Sequence, residues 1–252
     1  MQLSIIHFII VCPMVFLAGI IDAVAGGGGL ITLPVYMMVG LPAHMAIGTN
    51  KLSSCMGTAM STFKFAKAGF IPLKEALFCI IFAFIGSTLG ANIALLIDER
   101  SFKIVMLIIL PVIAYFVLGR KVLDVERQPY SLTKTIIIAC LAAFAIGAYD
   151  GFYGPGTGTF LILLLTAAAH IDIRRANGIT KAINLTSNIS ALIVYLRSGN
   201  TLLLLGLTAG LFGIAGNYIG ARFFEKQGAR AMKPIMIIVL AVFFVKLIVE
   251  LV

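Results

Sequence analysis

Four charged residues stand where an apolar chain has least reason to put them: Asp22, Lys51, Asp150 and Lys181. Each acid precedes a glycine-rich run, Gly26, Gly27, Gly28 and Gly29 in one case and Gly154, Gly156 and Gly158 in the other. A carboxylate can carry a proton, an ammonium can hold an anion, and glycine lets a ligand approach bare peptide N–H groups. The near-symmetry of the two sets argues against an enzyme, which would need an asymmetric nucleophile–base or metal constellation. His7, His44 and His170 have no metal-ligand spacing, and neither glycine run has the GxxxxGK[ST] form of a nucleotide-binding loop. No metal or cofactor is expected.

These residues interrupt a chain of 252 residues that is 61 % hydrophobic and 12 % charged, with a mean hydropathy of +1.09. Soluble domains run nearer a quarter charged. Apolar stretches cover 5–21, 76–97, 102–118, 135–149, 202–224 and 235–252. Several approach the roughly twenty residues that carry a helix across a bilayer. Two further helix-like stretches, 46–66 and 176–196, contain the lysines. The expected fold class is an all-α polytopic membrane protein, with the lipid bilayer as its first partner. In a soluble chain the net charge of +9 would suggest nucleic acid. Here the basic residues cluster at the ends of apolar segments, where they set membrane orientation, so no nucleic-acid partner is expected. The first apolar run, ending in Ala23-Val24-Ala25, imitates a signal peptide. No basic residue precedes it and it has a counterpart later in the chain, so it is expected to stay in the mature protein.

That counterpart belongs to a duplication. A shift of 128 positions lays Gly19, Asp22, Gly26 and Gly28 on Gly147, Asp150, Gly154 and Gly156. A shift of 130 then lays Ala46, Gly48 and Lys51 on Ala176, Gly178 and Lys181, and continues through Gly69/Gly199, Gly86/Gly216, Gly90/Gly220 and Lys103/Lys233. The expected organisation is a first transmembrane repeat over 1–120, a polar cytoplasmic linker over 121–130 and a second repeat over 131–252. Basic residues flank one turn in the first repeat (Lys64, Lys67, Lys74) and the non-equivalent turn in the second (Arg222, Lys226, Arg230, Lys233). That swap predicts repeats of inverted topology. Inversion needs an odd number of crossings per half, so the short segments 30–39 and 159–169 must cross or insert deeply.

Four consecutive glycines cannot hold a stable helix, each costing about 0.8–1 kcal/mol against alanine. Unwound backbone at membrane depth is tolerated only inside protein or beside a watery cavity. The glycine-broken helices are therefore expected to meet near mid-membrane, each exposing a half-helix N-terminus with about half a positive charge. One helical face carries Lys51, Ser54, Cys55 and Thr58, the other Lys181, Asn184, Leu185 and Asn188. Substrate contacts are assigned to Lys51, Lys181, Gly26 to Gly29, Gly154, Gly156, Gly158, Asn50, Ser54, Thr180, Asn184 and Asn188. Asp22 and Asp150 are assigned to proton coupling or to structural support, and Cys55 to a sulfur contact or to packing. The alternative for the lysines is a purely structural ion pair within each half, Lys51 with Asp22 and Lys181 with Asp150. Cys12, Cys79 and Cys140 read as buried small hydrophobes. The Gly86/Gly90 and Gly216/Gly220 spacings predict close helix packing, within one chain or across a homodimer.

With these residues in view, the chain resembles the TauE/SafE family of membrane permeases, the sulfite and organosulfonate exporters. The resemblance rests on GIIDAVAGGGGLITLP (19–34), LPAHMAIGTNK (41–51), YDGFYGPGTG (149–158) and TKAINLTSN (180–188), and it spans both repeats. It implies a multi-pass protein of the bacterial cytoplasmic (inner) membrane that transports small sulfur-containing anions such as sulfite, thiosulfate or sulfoacetate. Nothing resembles an ATP-binding domain, so the expected function is a secondary permease working by alternating access, with a proton as the coupling ion. The alternatives are a non-transporting assembly factor and a passive anion channel.

Overall fold

A computed structural model describes residues 3–98, 101, 128–228, 230, 234, 235 and 238. The expected spans over 102–118 and 235–252 and most of the linker lie wholly or almost wholly outside these residues. Among the described residues every regular element is a helix. They are α1 (Ile5–Ala25), α2 (Gly29–Met38), α3 (Ala43–Lys67), α4 (Leu73–Leu96), α5 (Leu132–Phe152), α6 (Thr157–Ala167), α7 (Ile173–Arg197) and α8 (Leu203–Gln227).

The order long, short, long, long occurs twice, with 21, 10, 25 and 24 residues and then 21, 11, 25 and 25. Among the described residues five helices, α1, α4, α5, α7 and α8, are long and apolar enough to cross a bilayer. At 1.5 Å per residue α2 and α6 reach only about 15 Å, half the hydrocarbon core. α3 is as long as a spanning helix but too polar at its centre to face lipid: Thr49, Asn50, Lys51 and Ser53 are all buried. It and α7 form the middle of the bundle. The outward faces of α4, α5 and α8 carry exposed Leu77, Ile81, Leu141, Leu204 and Leu211 instead, as lipid requires.

Packing follows the duplication. α4 lies along α5 as α8 lies along α1, α3 packs on α8 as α7 packs on α4, and α3 and α7 pack on each other. The glycine spacings explain the first pair of contacts. A Cβ on Gly86 would lie 2.3 Å from the Phe144 carbonyl oxygen, and one on Gly216 2.1 Å from that of Phe16. Gly90 abuts Ala148 as Gly220 abuts Ile20. Backbone meets backbone, and all four glycines are occupied within one chain. Replacing Gly90 with alanine would press its methyl to 1.9 Å from the Ala148 carbonyl oxygen. We expect a loss of about 1–3 kcal/mol, read as a lower melting temperature of the detergent-solubilised protein.

The two ends of the bundle are distinct. At one end Phe65 of α3, Phe70 of the α3–α4 turn and Phe224 of α8 pack together, with ring centroids 5.2–6.1 Å apart. Lys64 pairs with Glu225 at 3.5 Å there, and Arg174 at the start of α7 lies over Phe70 at 5.8 Å. At the other end the Leu202 N–H donates to Thr49 Oγ1 (3.0 Å), and the His44 ring meets the Ile97 carbonyl at 3.1 Å.

The helix breaks meet in the middle. α1 stops because Gly26 turns left-handed (φ 77°), its N–H bonding the Asp22 carbonyl at 2.8 Å. α5 stops at Tyr153, and Gly154 and Gly156 take positive φ before α6 begins. Helix ends leave carbonyls without intrahelical partners. Here the opposite half supplies donors. Asn177 Nδ2 donates to the Ala23 and Val24 carbonyls (3.3 and 3.2 Å), and Thr159 Oγ1 donates to that of Ala25 (2.8 Å).

Candidate functional site

Because the breaks abut, the aspartate before each one faces the other half's central helix. Lys51 of α3 pairs with Asp150 at the end of α5, Nζ to Oδ2 2.8 Å. Lys181 of α7 pairs with Asp22 of α1, Nζ to Oδ2 3.2 Å, and also donates to the Asp22 backbone carbonyl. The alternative of an ion pair within each half is therefore corrected: both ion pairs join one half to the other. The reason is that α3 and α7 stand side by side while the two breaks press on one another.

The pairs are not equivalent. Around Asp150, Ser187 Oγ donates to Oδ2 (2.7 Å) and Thr157 Oγ1 to Oδ1 (2.8 Å), so three donors including Lys51 hold this carboxylate. Asp22 has longer contacts, its second oxygen accepting the Gly28 N–H at 3.3 Å. Its side chain is 19 % exposed, against 6 % for Asp150. Lys181 is sealed behind it at 0 %. A buried pair is expensive to break from one side, about 3–5 kcal/mol, so both pairs lock the halves together while they last.

A cavity of about 50 Å³ opens between the pairs, room for a few waters or one small polyatomic ion. Its walls bring together Asp22, Gly26, Gly28, Gly29, Asn50, Lys51, Ser54, Asp150, Gly154, Gly158, Asn184 and Asn188 of the expected site. Gly27, Gly156, Thr180, Lys181 and Cys55 are not on the walls. Lys181 lies one layer back, Gly156 caps α6 against the Phe160 ring, and Cys55 is half-buried on α3 beside the wall residue Ser54. Sequence reasoning missed Thr32, Thr157 and Asn217, which do line the cavity, and Ser187, which holds Asp150. For Asn217 the available signal was one amide inside the apolar run 202–224, since a polar side chain at membrane depth normally faces the interior.

The walls thus carry one ammonium, two carboxylates, amides and hydroxyls, contributed by both halves and by both breaks. The sequence profile described as Sulfite exporter TauE/SafE matches residues 11–247. This chain belongs to the TauE/SafE family. Among relatives of the family, the "Probable membrane transporter protein ORF9" of Sinorhizobium sp is 36 % identical over 229 residues, 89 % of this chain and 85 % of that protein. The "Probable membrane transporter protein" of Haemophilus influenzae is 33 % identical, covering 88 % of this chain and 87 % of its own. The "Probable membrane transporter protein YfcA" of Escherichia coli K12 is 31 % identical, covering 92 % and 86 %. No solved structure matches the chain. TauE/SafE proteins are membrane transporters and not enzymes, and five apolar spanning helices make this one a multi-pass membrane protein, in keeping with a cell-membrane location.

Proposed function

We propose that the chain is a secondary transporter of a small anion of the sulfur-oxyanion or organosulfonate class, working by alternating access of two inverted repeats with a proton as coupling ion. The observation that carries this reading is the central cavity, which Lys51 lines and which is walled by both halves and by both helix breaks. An ammonium, a half-helix N-terminus and side-chain amides are the groups that hold an oxyanion without metal.

Contacts at the two ends support inversion. The C-terminal ends of α3 and α8 share one end of the bundle with the starts of α4 and α7. Equivalent helices α3 and α7, and α4 and α8, then run in opposite directions, as a twofold axis in the membrane plane requires. That same end collects Lys64, Lys67, Lys74, Arg174, Arg175 and Lys226, the cytoplasmic side by the positive-inside rule. The cross-half ion pairs give alternating access something to break and remake.

The test is thermal stability of the purified protein across sulfite, thiosulfate, sulfoacetate, sulfate, phosphate and chloride at constant ionic strength. A passenger at a hundred times its dissociation constant should stabilise by about 2.7 kcal/mol, while the other anions shift little. Lys51→Ala should lose that shift yet remain folded, because Ser187 and Thr157 still hold Asp150. An undiminished shift in that variant would remove Lys51 from the site.

A further inference from the structure

Away from the centre, charge gathers in the outer groove between α3 and α8, close to the C-terminal ends of both helices. Lys64 bridges that groove. Its Nζ stands 3.5 Å from Glu225 Oε2 and 5.2 Å from the centroid of the Tyr218 ring, both on α8. Arg222 shares their face of α8, four positions after Tyr218 and three before Glu225, and Lys67 follows Lys64 by three on α3. Lys67, Arg222 and Lys226 are all exposed. One acid is therefore outnumbered by the bases around it. Phe63, Tyr218, Ile219 and Phe223 are exposed on the same stretches of the two helices. The surface has an oily body with a basic rim.

The fold does not impose these charges. At the other end of the bundle α7 and α4 form the equivalent groove, and a shift of 130 gives the corresponding residues. Val194 stands for Lys64, Arg197 for Lys67, Thr88 for Tyr218, Asn92 for Arg222 and Leu95 for Glu225. Thr88 Oγ1 and Ser190 Oγ meet there at 2.6 Å, so the two helices pack as closely without an ion pair. Arg197 is the one basic residue in the last turn of α7, enough to answer the helix dipole. Membrane orientation does not ask for more either, since Lys74, Arg174 and Arg175 already flank the turns at the basic end. Lysine and arginine stems lie along apolar surface and carry their charges out to the headgroup layer. A phosphate at that level is the complement of the basic rim, and acyl chains are the complement of the surface below it.

We propose that the α3–α8 groove is a docking site for one anionic phospholipid of the leaflet at the basic end. Its phosphate lies against Lys67 and Arg222, and its chains run along Phe63 and Ile219. Glu225 draws Lys64 away from the phosphate and so restrains the affinity. The site is separate from the central cavity and stands whatever passenger the cavity takes.

The experiment titrates full-length protein in neutral detergent with phosphatidylglycerol or phosphatidylcholine of identical chains, and native mass spectrometry counts the bound lipid. The wild type should hold phosphatidylglycerol at least about tenfold more tightly. Arg222→Gln and Lys67→Gln should each weaken that association about fivefold, the factor one basic residue supplies near an anionic headgroup. Glu225→Gln should tighten it by a similar factor, and phosphatidylcholine should respond to none of the three. Lys74→Gln is the control, because α4 packs against α5 and α7 and not along this groove. A wild type without preference, or an equal loss in Lys74→Gln, would overturn the site in favour of a diffuse surface charge. Water-soluble glycerol phosphate binding as tightly as the lipid would overturn it in favour of a plain anion site. Loss of both lipids together with a lowered melting temperature would make the substituted residue structural and overturn its role.

Discussion

Asp22→Asn protein is expected to bind its anion equally well from acidic to neutral pH, whereas wild-type affinity should rise as the pH falls. The argument is one of charge in a site with little water. Lys51, Lys181, Asp22 and Asp150 sum to zero when all are ionised, so an incoming anion leaves the centre with one uncompensated negative charge. A proton on one carboxylate restores neutrality. Geometry selects Asp22 for that proton: it is the more exposed of the two, it lies on the cavity wall, and its contacts are 3.2 and 3.3 Å. Asp150 is held by three donors at 2.7–2.8 Å. With the centre neutral only when a proton enters with the anion, binding strengthens as the pH falls. One proton taken up per anion bound makes the wild-type slope about tenfold per pH unit.

Asparagine mimics the protonated acid at every pH and still offers Lys181 an oxygen. Its slope should vanish, and proton movement should no longer accompany anion flux in proteoliposomes. Titration with chlorate keeps the probe's own charge constant. A wild-type slope retained in Asp22→Asn would assign the proton to another group.

Much of this arrangement is legible in the chain's own pattern. Apolar runs of about twenty residues have few ways to satisfy their backbones except as spanning helices, and four glycines in succession have no way to continue one. Matching Asp and Lys at constant shifts located both halves of the centre, because such residues are scarce in membrane helices. What the linear pattern lacked was the third dimension between the halves. Pairing Lys51 with Asp22 or with Asp150 is equally compatible with spacing along the chain, and only the side-by-side packing of α3 and α7 decides it. Repetition also suggested equivalence, yet Lys51 lines the cavity and Lys181 does not. A duplicated sequence fixes which residues correspond, while one conformation need not place them alike. Asn217 escaped notice for a related reason: its counterpart at the shift of 130 is Ser87, which donates to the Ser187 carbonyl and does not line the cavity.

The glycine break itself should tolerate no side chain at Gly26. Its φ of 77° is a left-handed conformation that costs an L residue about 1 kcal/mol or more. The larger difficulty is space. A Cβ there would lie 2.3 Å from the Gly158 carbonyl carbon, 2.5 Å from its Cα and 2.6 Å from the Thr159 nitrogen. All three are backbone atoms of the opposite break, so no rotamer change relieves the contact. Moving them would withdraw Thr159 Oγ1 from the Ala25 carbonyl and disturb Asn184, which packs against Gly158. Gly26→Ala should therefore lose more than about 3 kcal/mol, read as a much lower melting temperature and a larger aggregated fraction on size-exclusion chromatography. Gly40→Ala is the control, since Gly40 also has a positive φ, 89°, but nothing lies within 4 Å of its added Cβ. It should cost only the conformational part, about 1 kcal/mol, and keep its anion response. Similar losses in the two variants would mean that backbone conformation alone demands glycine at the break. A much larger loss at Gly26 would mean that the direct meeting of the two halves demands it, and with it the cavity they enclose.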